Sequence, residues 1–212
     1  MCIRDSLRSA LAVAAATSLA LGATPSIAQA AQVSAAEAAG QAPVGEVKNW
    51  DANPAPKAIS TGETAKWVHD VDQDKVWAFW VHSPSMGRDI PVAVIPARDA
   101  QGERVENAPT IYLLNGAGGA EQNNDWLTYA ETQKFYADKG VNVVIPMEGA
   151  FSYYTDWQNT PEAEYFKGPQ KWETFLTKEL PGPIEQRLGA DSRRAVVGLS
   201  LIHISEPTRP RL

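Results

Sequence analysis

Ser200 closes the tripeptide Gly198-Leu199-Ser200. A serine becomes a nucleophile when a tight strand-to-helix turn lifts its hydroxyl clear of a sheet and a histidine takes its proton. Small neighbours are needed because the backbone is strained and nearby chains pack close. The full motif asks for another small residue at 202, where this chain has Ile202. Taken alone, the tripeptide is equally a serine at the end of a strand. A second group is Asn115-Gly116-Ala117-Gly118-Gly119. A glycine-rich loop after a strand can aim backbone N–H groups at developing negative charge. It can also cradle a phosphate, although neither G-x-G-x-x-G nor a Gly-Lys-Ser/Thr ending is present, or simply turn the chain. A third group is Phe151-Ser152-Tyr153-Tyr154-Thr155-Asp156-Trp157, aromatics able to line a sugar or acyl site or to form a lid over the core.

Other chemistry is scarce. His69 and His82 precede the central strands and read as surface or structural residues. No H-E-x-x-H or other metal spacing occurs, so no metal site and no cofactor are expected. A single cysteine excludes a disulfide framework and a thiolate zinc site. The net charge of −6 argues against a nucleic-acid binder, which needs clustered Lys and Arg.

The elements that must position these groups are legible as periodicity. Residues 76–81 (VWAFWV) form a β-branched and aromatic run, and 90–95 read as its neighbour across the turn Ser83-Pro84-Ser85-Met86-Gly87. The pair predicts an antiparallel hairpin at the sheet edge. Further strands are expected at 110–114, 141–145 and 194–197. Helices are expected at 128–139, closed by Gly140, and at 171–180, where Pro181 and Pro183 bend or break the chain. Short apolar strands alternating with helices predict an α/β fold with a parallel sheet buried on both faces. At 44% hydrophobic and 21% charged residues the composition is globular.

Both ends carry a signature of a different kind. Met1-Cys2-Ile3-Arg4-Asp5-Ser6 can be written ATG TGT ATA AGA GAC AGN, and Leu199-Ser200-Leu201-Ile202-His203 can be written CTG TCT CTT ATA CAC, its reverse complement. Residues 1–6 and 201–212 are therefore expected to be translated sequencing adapter, which makes Cys2 and His203 foreign and puts Leu199 and Ser200 on the junction. Arg8, the apolar run 10–22, Pro25 and the motif Ala28-Gln29-Ala30 predict a secretory signal peptide over 7–30, cleaved after Ala30. Residues 31–65, rich in Ala, Gly and Pro without periodicity, are expected to form a flexible arm. A domain spanning 66–200 would follow, in an exported protein at the cell envelope.

In this order the stretches resemble the secreted mycolyltransferases of the antigen 85 type, a branch of the α/β-hydrolases. The residues that carry the resemblance are SPSMGRDI (83–90), YLLNG (112–116), YYTDW (153–157), KWETFLTKEL (171–180) and VGLS (197–200). The long arm and absent native cysteines look more like the corynebacterial than the mycobacterial branch. The resemblance implies an α/β-hydrolase fold truncated after the nucleophile-elbow strand. It implies Ser200 as the nucleophile that accepts a mycolyl group. The N–H groups of Ala117 and position 201 (Leu201) would be oxyanion donors, with Asn115 and Gly116 in the same substrate-binding loop. The donor would be trehalose monomycolate, and the acceptor a second such molecule or cell-wall arabinan. The triad acid and histidine would lie beyond this chain, leaving it inactive. Many members carry Asp and Arg where this chain has Asn115 and Gly118, side chains that help hold the sugar. A secreted carboxylesterase of the same fold and a non-catalytic cell-wall protein remain alternatives.

Overall fold

A computed structural model describes residues 44–72, 74–160, 162–163 and 165–199. The signal peptide, residues 31–43 of the arm and both adapter-like ends lie outside these residues. Six strands form one mixed sheet: β1 (Glu46–Asn49), β2 (Trp77–Ser83), β3 (Arg88–Ile95), β4 (Thr110–Leu114), β5 (Asn142–Pro146) and β6 (Arg194–Gly198). The order is β1-β2-β3-β5-β4-β6. β2 is antiparallel to both β1 and β3, and β3 is antiparallel to β5, whereas β5, β4 and β6 run parallel.

Both faces of the sheet are covered, and the alternation of side chains shows it. Val92, Val94, Tyr112 and Val144 face one core with Trp172, Phe175 and Ile184. Their neighbours Ala93, Ile95, Leu113, Val143 and Ile145 face the other core with Trp67 and Met147. Successive strand residues point to opposite faces, so a strand buried on both sides reads as a continuous apolar run. Val92, Val94, Val143, Val144 and Ile145 are all fully buried, each contributing about 1.5–3 kcal/mol.

Three local expectations change. Chain within the expected arm is ordered from at least Val44, because Glu46–Asn49 pairs with β2, so β1 and not the β2–β3 hairpin forms the sheet edge. The single helix over 128–139 is instead two short ones, α1 (Trp126–Tyr129) and α2 (Thr132–Tyr136). Glu131 separates them in a left-handed conformation (φ 46°) that no helix interior tolerates. Pro181 does not end the helical segment but begins its last part. α3 (Trp172–Thr174) runs into a π-helical turn (Phe175–Glu179), and α4 (Pro181–Leu188) follows with Pro181 in its first turn. A proline there lacks only an N–H that would have no helical partner.

Candidate active site

The parallel part of the sheet reverses direction at β4. The chain passes from β4 to β5 on one side and then returns to β6 on the other. Such a reversal opens a crevice at the carboxyl ends of the strands, and the loop 115–119 leaves β4 at that point. Leu114 is in register with Gly198, and the Leu199 N–H donates to the Leu114 carbonyl at 3.1 Å. The end of the GLS tripeptide is thereby held against the start of the glycine loop. Ser200 and Leu201 themselves lie outside the described residues.

The loop is held by its own side chain. Asn115 is 1% exposed. Its Nδ2 donates to the Pro146 carbonyl at 2.9 Å and its Oδ1 accepts the Trp126 N–H at 3.1 Å. Its side-chain amide joins the end of β5 to the start of α1. Trp126 adds an indole bond to the Leu114 carbonyl at 3.0 Å. Asp125 caps α1 by accepting the Leu127 and Thr128 N–H groups, both at 2.9 Å. Burial raises its carboxyl above the ordinary range. The carbonyl of Gly116 accepts the Gly119 N–H at 2.9 Å, closing the turn.

Ala117 lies at the exposed tip of this turn. Its carbonyl accepts the Phe151 N–H at 2.7 Å, whereas its own N–H has no partner among the described residues. A main-chain donor on a braced loop and facing no protein acceptor is what stabilisation of an oxyanion requires. Gly119 explains how the loop approaches so closely. Its φ is 54°, and a Cβ there would stand 2.8 Å from the Ala150 nitrogen.

Beneath the loop sits an ionic cluster that the sequence did not single out. Glu121 Oε2 accepts the Gly149 and Ala150 N–H groups at 3.2 and 3.0 Å, and its Oε1 meets Lys167 Nζ at 2.8 Å. Glu148 pairs with Arg88 at 2.9 Å and with Lys167 at 3.5 Å. Burial raises the Glu148 carboxyl, against the opposing pull of Lys167 and Arg88. Burial would lower Lys167, but the two carboxylates prevail and hold it above the ordinary value. Only Arg88, inside SPSMGRDI, was marked by a motif; Glu121 comes from a single 3-10 turn (Gly119–Gln122) and Glu148 and Lys167 from irregular chain, with no periodicity to reveal them.

Within the aromatic stretch one tyrosine packs inward and its neighbour is exposed. Tyr154 turns inward and meets Trp172 edge-on at 5.6 Å, and burial raises its phenol. Tyr153 is 48% exposed. Asp156 accepts the Thr174 N–H at 3.1 Å and the Thr174 hydroxyl at 2.6 Å, and Lys171 Nζ donates to the Trp157 carbonyl at 2.6 Å. YYTDW and KWETFLT therefore occur together because they are bonded to each other. His82 lies on β2, separated from β6 by three strands, with Nδ1 2.7 Å from Asp89 Oδ1. His69 lies in a short 3-10 turn (Lys66–Asp70).

Residues 83–202 match the family described as putative esterase. The chain is 38% identical over 122 residues to the diacylglycerol acyltransferase/mycolyltransferase Ag85A of Mycobacterium tuberculosis, covering 57% of this chain and 34% of that protein. It is 37% identical over 119 residues to the MPT51/MPB51 antigen of the same organism, covering 56% and 34%. The solved structure of Mycobacterium tuberculosis MPT51 is similar with a TM-score of 0.45 and 34% identity, over 56% of this chain and 39% of that one. The chain spans about a third of the length of the curated relatives it matches.

Proposed function

The chain belongs to the esterase family of α/β-hydrolases, in its antigen 85 group, and from that premise we propose that it is part of an exported serine acyltransferase. The observation that supports this reading is the bond from the Leu199 N–H to the Leu114 carbonyl, which holds the residue before Ser200 against the strand end where the loop 115–119, with the Ala117 N–H that has no partner among the described residues, departs. Ser200 attacks the ester carbonyl of an acylated sugar, and a histidine takes the hydroxyl proton. The N–H groups of Ala117 and position 201 hold the tetrahedral oxyanion. The sugar leaves with the proton, and the acyl-serine is attacked by a hydroxyl of a second sugar, which regenerates the serine. The relative Ag85A is named for mycolyl transfer; we assign the corresponding substrates, trehalose monomycolate and an envelope sugar acceptor, to this protein. The signal peptide over 7–30 and the adapter origin of 1–6 and 201–212 belong to the same proposal. The genomic reading frame after Gly198 tests the adapter assignment, and Leu-Ser followed by a small-residue turn is expected there.

The 212-residue chain alone is expected to be inactive. Of the histidines among the described residues, His82 sits three strands from β6 and is engaged by Asp89, and His69 lies on a separate turn.

One observation favours hydrolysis as a second reading. Asn115 is buried and Gly118 has no side chain, so neither supplies a group to grip an acceptor sugar. Incubating the full-length protein with a trehalose monoester labelled in its acyl chain decides between them. Labelled diester, absent with Ser200→Ala, is expected. Free acid as the sole product assigns a carboxylesterase, and no turnover at all removes both enzymatic readings.

A further inference from the structure

We propose that Glu185 is a positioning residue for the reaction: it ties the strand that leads to Ser200 to the strand that leads to the glycine loop, and so sets nucleophile against oxyanion donor. The inference deepens the acyl-transfer reading and rests on it. Three elements meet at this carboxylate. Glu185 stands on α4 and is buried. Its Oε1 accepts the hydroxyl of Tyr112, on β4, at 2.7 Å. The same oxygen accepts Nε of Arg194, on β6, at 2.5 Å, and Oε2 accepts Arg194 Nη2 at 2.6 Å. Tyr112 lies three residues before Asn115, and Arg194 six residues before Ser200.

Packing does not hold β6 in this way. Among the described residues its Ala195, Val196 and Val197 side chains are exposed, and none of them carries a polar atom. Strand register is specified strongly where one face is buried and weakly where neither is. The β4–β6 ladder pairs Thr110 with Arg194 and Leu114 with Gly198, but backbone bonds alone repeat along a strand. A slip of one residue displaces everything beyond it by about 3.3 Å, and a misplacement of about 1 Å at a reacting group can cost about 100-fold in rate. A side-chain tie that fixes β6 at one register therefore has leverage on the chemistry.

The tie has the strength for this. Two guanidinium N–H groups meet one carboxylate, a bidentate geometry that adds direction to charge. Arg194 is 47% exposed along its side chain but Glu185 only 8%, so loss of Arg194 leaves a buried charge without its partner. Burial and the Glu185 carboxylate hold the Tyr112 phenol above its ordinary range, so it stays a donor. The helix behind Glu185 is fixed in turn. Ile184 and Leu188 are buried in the core on this face of the sheet, and Arg104 Nη2 donates to the Leu188 carbonyl at 3.1 Å.

The test follows, in the full-length protein, the rate at which a fluorophosphonate labels Ser200, with kcat and KM for the labelled trehalose monoester. Glu185→Gln and Arg194→Ala are each expected to slow labelling and kcat about tenfold with KM within about twofold, since neither residue touches substrate. The double variant is expected to be no slower than Glu185→Gln alone, because both changes remove one tie. The Leu199 amide, bonded to the Leu114 carbonyl, is expected to exchange faster in both variants while that of Ile145 in β5 keeps the parent rate. Arg194 is half exposed, so Arg194→Ala decides the matter if Glu185→Gln does not fold. A parent unlabelled at Ser200 removes the acyl-transfer reading and this proposal with it. A labelled parent leaves four results that overturn the positioning role alone: variants labelled at the parent rate per folded molecule whatever their stability, a change confined to KM, an unchanged Leu199 amide, or single effects that multiply in the double variant.

Discussion

Asn115 shows how a residue of the right type in the right loop can serve a different purpose from the one its position suggests. Its amide bonds a carbonyl 31 positions away, a contact that no local pattern reveals. The glycine-rich loop after β4 was legible as a motif, and the resemblance, not the motif, singled out Ala117 within it. Asn115→Ala should destabilise the fold by about 2–3 kcal/mol, since it strands both the Pro146 carbonyl and the Trp126 N–H. Urea unfolding measures this. A change within about 0.5 kcal/mol would show that the amide does not brace the loop. Asp89 gives a pH signature. Burial acts to raise its carboxyl, but bonds from Lys48 and His82 outweigh it and leave the group below its ordinary 3.8. A folded pKa below the unfolded one stabilises at pH values above the unfolded pKa, and that stabilisation is lost as pH falls through the folded one. The stability gap between the parent and Asp89→Asn should therefore be full at neutral pH and shrink below about pH 4. A gap that stays constant in acid would contradict the pairing.

At the scale of elements, strands were easier to read than helices. An apolar run buried on both faces announces itself, and 110–114 coincides with β4. The helical segments were misread where a single residue's backbone decided the outcome, at Glu131 and at the π turn before Pro181. Glu179 in that turn also explains why SPSMG and KWETFLTKEL travel together. It is fully buried, accepts the Ser83 hydroxyl at 2.5 Å and the Ser85 N–H at 2.9 Å, and so fastens the β2–β3 turn to the helical layer. Ser83→Ala and Glu179→Ala should each destabilise by about 2–3 kcal/mol. The double variant should fall short of their sum by about 1 kcal/mol or more. Strict additivity in a double-mutant cycle would mean that the two groups do not act as one contact.

For the whole molecule, the arrangement brings three strand ends to one crevice. It places a braced amide donor beside the strand that leads to Ser200, and it adds an N-terminal segment outside the family domain. The antiparallel hairpin was visible in the sequence. The strand β1 outside it was not, because Glu46–Asn49 is short, mostly polar and paired with residues 30 or more positions on. The claim on which the functional account rests is that Ser200 is an activated nucleophile. Mass spectrometry of the full-length protein after treatment with a fluorophosphonate tests it most directly. The account predicts a covalent adduct on the peptide containing Ser200 and none in Ser200→Ala. An unlabelled protein, or an adduct on any other residue, would contradict it.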